Sequence, residues 1–319
     1  MAPRVILGLL LLASMAFISS YSLGANNLAG LRGIEIRPYG DFTIDPGESL
    51  LMTIEGDYAT YTVPVRGAWR ITGGEEYGWL TARCDASKSC EFQAGDYGGE
   101  VTIYVDANGL SDEQTIHIRK PAAPKPVKNP FSDAIPDWAG EPIVELKNRS
   151  ILRGYDDGRY GAGELLTRGQ LLTIFYRTLV SLHAIQPVSC QQVYKDVPAG
   201  HYAFDAACAF RKNGWMDSLS TLSPDEPVSR GETASLLNRA IGSTLLKAKN
   251  KSLADVIDSG QVFSDVPVSH PYFIDTAVTR TVGLMKGNPD RTFGPEKTLN
   301  RAEAATIFYR VIQGGSSTL

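Results

Sequence analysis

The chain has 319 residues, enough for two or three independently packed units at about 100 to 150 residues each. Lys and Arg number 31 against 35 Asp and Glu, a formal net charge of -4; with no positive excess to neutralise phosphates, nucleic acid is not expected as a partner. The charge is uneven, since residues 25–120 hold 15 acidic and 8 basic side chains, so the N-terminal part is the acidic one.

Arg4, the apolar stretch 5–18 and then Ser19, Ser20, Ser22, Gly24 and Ala25 stand in the order of an export signal. Residues 1–25 are therefore a signal peptide or, if Tyr21 to Leu23 extend the apolar run, an N-terminal membrane anchor. No Cys stands near the end of the run to take a lipid, and no later segment is apolar enough to span a bilayer, so membrane contact is expected only through an uncleaved anchor. An exported chain permits disulfides among Cys84, Cys90, Cys190 and Cys208. Cys84 and Cys90 can staple one loop, but four Cys allow three pairings, which remain open. They are too scattered for a zinc knuckle.

Residues 26–119 read as short strands at 34–37, 49–54, 58–63, 68–71, 79–82, 101–105 and 115–118. Thr102, Tyr104 and Asp106 alternate with Val101, Ile103 and Val105, as in a sheet with one buried face. Pro46-Gly47, Gly56-Asp57, Gly73-Gly74, Gly98-Gly99 and Asn108-Gly109 supply the turns between strands. Seven strands in this length suggest an all-β Greek-key sandwich, which resembles the immunoglobulin-like domains of bacterial surface proteins. Trp69 and Trp79 read as core or loop-packing residues.

Residues 120–130 contain Pro121, Pro124, Pro126 and Pro130 and form a stiff connector expected to separate the sandwich from the rest of the chain. Beyond it an aromatic-x-Asp start, a helix, a turn-rich loop, a capped Arg and a second helix recur three times. The repeats span 131–185, 190–246 and 263–319, with a charged insertion at 247–262. Their starts, Phe131-Ser132-Asp133, Tyr194-Lys195-Asp196 and Phe263-Ser264-Asp265, lie 63 and 69 residues apart. Thr167-Arg168-Gly169-Gln170, Ser229-Arg230-Gly231-Glu232 and Asn300-Arg301-Ala302-Glu303 have capping-box spacing, so each predicts a helix start. The apolar stripes of these helices cannot be buried within one repeat, and three units around a common centre would bury them.

Phe-Ser-Asp-Val-Pro at 263–267, Tyr-Lys-Asp-Val-Pro at 194–198, Gly-Tyr-Asp-Asp-Gly-Arg-Tyr at 154–160 and Asn-Arg-Ala-Glu at 300–303 make residues 131–313 resemble the S-layer homology modules, an envelope-anchoring family that occurs as three tandem repeats. The resemblance implies a multidomain chain, a sandwich followed by a mainly α-helical pseudo-trimer around a central bundle. It also implies noncovalent attachment to a pyruvylated secondary cell-wall polysaccharide in grooves between repeats, and hence a secreted, cell-wall or S-layer location. The sandwich would be displayed beyond the wall and dispensable for anchoring, with a surface protein as its own possible partner. The other reading is a chain that itself assembles into a surface layer.

The residue types suit that chemistry. Arg168, Arg230 and Arg301 offer planar forks for a carboxylate at helix starts, where backbone amides and the dipole would add attraction for an anion. Asp133, Asp196 and Asp265 can accept sugar hydroxyls or else cap the first helices, and Trp138, Tyr202 and Tyr272 can carry a sugar ring or else plug the core between repeats. Structural ion pairs are the competing account of the three Arg residues. Gly154 and Gly287 lie in the loops beside the site, where, like Gly158, they read as turn formers. Arg301, in the repeat with the most complete motifs, is expected to matter most for binding while leaving folding intact. The second repeat has no Gly-x-x-x-Gly loop at 216–226 and the first has Gln170 in place of an acid, so one groove can be vestigial. Asp156, Asp157, Asn288 and Asp290 fall short of a calcium loop, and no hydrolase elbow, zinc-protease motif or phosphate loop is present, so neither cofactor nor enzymatic activity is expected.

Overall fold

The computed structural model describes residues 30–315 except 82, 83, 85, 188, 189, 218, 219 and 261. The expected export segment at 1–25 lies outside the described residues. Among the described residues nine strands form the N-terminal part: β1 (Gly33–Arg37), β2 (Phe42–Ile44), β3 (Ser49–Tyr58), β4 (Tyr61–Pro64), β5 (Ala68–Gly73), β6 (Gly78–Leu80), β7 (Ser89–Ala94), β8 (Gly99–Ala107) and β9 (Leu110–Ile118). One sheet runs β1-β3-β7-β6 with β4 on β3, and the other runs β2-β9-β8-β5. Between them Ile36, Met52, Ile54, Phe92, Val101, Ile103, Val105 and Ile116 are buried, so the sandwich has its own core.

The β8–β9 hairpin turns on Asn108 and Gly109, both at positive φ, with Ala107 paired to Leu110, as a two-residue turn of matching twist requires. Gly56 does not turn the chain as expected; it lies inside β3, where a Cβ would meet Val65 Cγ1 at 2.6 Å. Two strands escaped the sequence reading. In β7, Cys90, Phe92 and Ala94 are buried and alternate with Ser89, Glu91 and Gln93, and the Cys84–Cys90 disulfide ties its start to the preceding loop.

The helical part comprises α1 (Asp137–Asn148), α2 (Arg168–Ser181), α3 (Phe204–Lys212), α4 (Arg230–Leu237), α5 (Ser243–Ala248), α6 (Leu253–Asp258), α7 (Phe273–Thr281) and α8 (Arg301–Gly315). A π turn at Asn238–Gly242 joins α4 to α5. The helix α6, capped reciprocally by Ser252 and Asp255, fills much of the charged insertion and packs on α7. Reciprocal capping holds at all three expected sites, Thr167 with Gln170, Ser229 with Glu232, and Asn300 with Glu303. The second disulfide, Cys190–Cys208, ties the start of the second repeat to α3.

The three repeats close a ring. Leu166 N donates to Leu299 O (2.8 Å), Leu299 N to Val228 O (3.1 Å) and Val228 N to Leu166 O (3.0 Å). These residues hold the same place in each repeat, two before the first helical Arg. The helices keep the same cycle: α2 packs on α3, α4 on α7 and α8 on α1. At the centre Phe175 of α2 meets Phe210 of α3 at 5.1 Å and Phe308 of α8 at 5.3 Å between ring centroids. Each stripe is thus buried by a neighbouring repeat.

The connector has no regular structure, and its Val127 lies against α1, 2.9 Å from where a Cβ on Gly140 would stand. It does not hold the two parts apart, because the sandwich also touches the third repeat. Phe175 bridges two repeat interfaces, so Phe175→Ala is expected to cost about 3–5 kcal/mol and to broaden cooperative unfolding of the helical part; chemical denaturation followed by circular dichroism checks this.

Candidate functional site

Each second helix opens with two amides that its own helix cannot satisfy. The next repeat supplies the acceptors. Arg168 N and Gly169 N donate to Glu226 O and Pro224 O, Arg230 N and Gly231 N to Lys297 O and Pro295 O, and Arg301 N and Ala302 N to Glu164 O and Ala162 O. The sequence reading offered these amides to an anion. In the fold they join repeat to repeat, and each leading Arg is thereby held over the loop of the adjoining repeat.

The aromatic-x-Asp motifs shape that loop. Asp133 accepts from Tyr160 N (2.6 Å) and Gly161 N (2.8 Å), Asp196 from Leu222 N (2.9 Å) and Ser223 N (2.6 Å), and Asp265 from Phe293 N and Gly294 N (both 2.7 Å). Gly161, Ser223 and Gly294 all have positive φ, so the same sharp corner recurs three times. Burial raises the Asp133 and Asp196 carboxyls, but the two amide bonds outweigh it and hold both below the usual Asp range. These Asp residues do not cap the first helices, whose N-caps Pro136, Ala203 and Tyr272 make no side-chain cap bond.

The three Arg residues differ in what they reach. Arg301 is 6% exposed; its Nε and Nη2 donate to Tyr160 O (2.9 Å) and Arg153 O (3.0 Å), and its guanidinium lies 4.8 and 4.9 Å from the Tyr155 and Tyr160 ring centroids. Arg230 repeats the pattern, donating to Phe293 O and Lys286 O (both 2.8 Å) and lying 4.6 Å from the Phe293 ring centroid. Arg168 pairs instead with Glu232, Nη2 to Oε1 at 2.6 Å, and its side chain is 36% exposed.

Two glycines explain the difference. A Cβ on Gly154 would lie 2.6 Å from Arg159 O and 2.7 Å from the Phe131 ring, and one on Gly287 would lie 2.5 Å from the Phe263 ring. Neither has positive φ; only Gly158 of the three expected turn formers does. The second repeat has Ser218 in this position, with Met216 in register with Leu152 and Met285, and its loop is two residues shorter before Leu222. Its loop keeps the Asp196 clamp but does not close on Arg168, and a cavity of about 390 Å³ lies there, lined among others by Arg168, Trp215, Met216, Glu232 and Tyr272. Asp217 belongs to the same wall, whereas Ser218 lies outside the described residues.

Two of the aromatic candidates cross joints between repeats, and Tyr272 also lines the cavity beside Arg168. Tyr202 covers Gly169 and Tyr272 covers Gly231, each within 2.4 Å of where a Cβ would stand, so small residues at these helix starts are required. Trp138 and Tyr202 are half exposed. Trp215 and Glu232 had no motif to mark them as groove residues.

The third groove is covered by the sandwich. Gly287 N donates to Asp96 Oδ2 (3.0 Å), the Tyr97 hydroxyl donates to Gly287 O (3.1 Å), and Arg280 Nη2 donates to Ala94 O (3.0 Å). Arg280 also lies 3.8 Å from Asp96 Oδ2 and 4.4 Å from the Trp79 ring centroid. Trp79 is therefore an interface residue, whereas Trp69 sits in the sandwich core with Nε1 donating to Ser87 O.

The burial of Arg301 reverses the expectation that folding is indifferent to it. Arg301→Ala strands two carbonyls and empties a filled site, so it should cost about 2–4 kcal/mol, whereas Arg168→Ala removes a partly exposed ion pair and should cost under about 1 kcal/mol. Denaturant unfolding of the two variants under one set of conditions measures the gap.

The family model for the S-layer homology domain matches residues 130–172 and 262–305, over most of the first and third repeats. The chain is 25% identical over 184 residues, 57% of its length, to an amylopullulanase of Thermoanaerobacterium thermosulfurigenes. It is 25% identical over 192 residues, 58% of its length, to a surface-layer 125 kDa protein of Lysinibacillus sphaericus, and 25% identical over 144 residues, 43% of its length, to a cellulosome-anchoring protein of Acetivibrio thermocellus. The matches span 9%, 15% and 32% of those proteins respectively. S-layer homology domains are thus present in two regions of the chain, and the second repeat shares their loop clamp and place in the ring without falling in a matched region.

Proposed function

We propose that the helical repeats attach this protein noncovalently to the cell surface by binding an acidic envelope polysaccharide, with the second groove as the principal site. The cavity beside Arg168 carries the reading, because it joins a partly exposed guanidinium to the flat faces of Trp215 and Tyr272. A ligand carboxylate would take Arg168 from Glu232 as a bidentate partner while a sugar ring lies against the aromatics. Arg301 and Arg230 act as braces that shape the neighbouring loops. The two matched family regions and the resemblance to a cellulosome-anchoring protein support attachment as the general role. A pyruvate ketal on the polymer supplies the carboxylate.

A second reading has support of its own. Tyr39, Leu51 and Tyr61 are 75%, 63% and 57% exposed on the sandwich, which suits lateral contacts in a self-assembled surface layer, and one relative is a surface-layer protein. Ordered sheets grown from the purified chain and seen by electron microscopy would favour this role.

Arg168→Ala should weaken binding to purified cell-wall polymer about ten- to a hundredfold by calorimetry, with Arg168→Lys intermediate and the fold unchanged. Chemical removal of pyruvate from the polymer should weaken the wild-type chain to a similar degree. Equal affinity of Arg168→Ala and wild type would take the second groove out of the site.

A further inference from the structure

The third groove is a basic pocket. Arg230, Arg280, Lys286 and Arg310 converge on it, and burial lowers the pKa of each, so gathering them there carries a cost that a nearby anion offsets. The charges of Arg280, Lys286 and Arg310 all act together with that of Asp96. Glu303 and Asp265 act on Arg230, whereas the anion that acts on the other three belongs to the sandwich. Asp96 is 12% exposed in its side chain and binds the Gly287 amide, while Tyr97 closes on the Gly287 carbonyl and lies near enough to Arg230 for its charge to act on the phenol.

The turn between β7 and β8 presents these two residues rigidly. Gly95 N donates to Tyr77 O at 2.6 Å, and a Cβ on Gly95, Gly98 or Gly99 would lie 2.6 Å from Tyr77 O, 2.4 Å from Lys120 Cα or 2.5 Å from the Tyr77 ring. Glycine at all three places lets the turn fold tightly and project Asp96 and Tyr97 alone. A carboxylate beside a flat ring has the chemistry of an acidic sugar unit, and it takes the Gly287 amide among Arg280, Lys286 and Arg310.

We infer that the Asp96–Tyr97 turn is a built-in occupant of the third groove, a stand-in for an acidic sugar that excludes carboxylate ligands while the sandwich is docked. The inference rests on the reading of the grooves as carboxylate sites. Opening the groove requires the sandwich to lift from the third repeat, so the groove's apparent affinity is reduced by the fraction of molecules that are closed.

The test uses the full chain, its Asp96→Ala variant and its Asp96→Ala/Tyr97→Ala variant. Nuclear magnetic resonance tracks the Gly287 amide, both its hydrogen exchange and its shift on titration with a methyl galactopyranoside bearing a 4,6-linked pyruvate ketal. Exchange should be at least about tenfold faster in the double variant, and the probe should bind there at least about tenfold more tightly than in wild type. The single variant should fall between, which separates opening from any misfolding of the turn. Unchanged exchange in both variants would overturn the docking, and equal probe midpoints in all three chains would overturn the exclusion. An opened groove that never responds to the probe would overturn the sugar mimicry, while the calorimetry on Arg168 reports separately on the second groove.

Discussion

The ring of three backbone hydrogen bonds through Leu166, Val228 and Leu299 is the constraint on which the helical part depends. Each residue in it donates to one repeat and accepts from the other, so the unit closes only when all three are present. The helix starts repeat the logic two residues later, where amides that would otherwise need water or an anion find carbonyls of the next repeat. Capping, core burial and groove formation all depend on that closure. The Arg at each helix start crosses the joint because the joint is made by its own amide.

Given the ring, the fold of one loop decides how a groove is used. Where glycine sits at 154 and 287, the loop folds down and its carbonyls take the Arg; in the second repeat, with Ser218 there and a loop two residues shorter, the Arg turns to Glu232 and a cavity remains. The repeat whose motif is most degenerate is thus the one with the most accessible guanidinium. Motif quality measured how well a loop closes, and closure consumes the groups that a ligand would want.

This inversion shows what was legible in the sequence. The capping boxes, the Asn108-Gly109 hairpin and the three repeat starts were readable because each is a local bond between a side chain and nearby backbone. β7 was missed because Cys90 read as a loop staple, although Cys90, Phe92 and Ala94 alternate correctly. The roles of Asp133, Asp196 and Asp265 were out of reach, since their partners lie 26 to 29 residues away and are backbone amides without identity in the sequence. The seat of Asp96 was hidden for a further reason: one acid in an acidic domain meets Arg280, Lys286 and Arg310, brought together from two different helices and a loop nearly two hundred residues on.

The cyclic order of the repeats also sets how the protein carries load. Because α8 packs on α1, the helix just after the connector is braced by the last helix of the unit, and Tyr309 of α8 donates to Glu141 of α1. A pull transmitted through the connector enters at α1, where Val127 already rests on Gly140. Tension there does not peel off the first repeat as the end of an open array, since that repeat is joined to both neighbours. It is shared around a closed loop of contacts, so the unit behaves mechanically as a clasp whose first and last segments are fastened to each other.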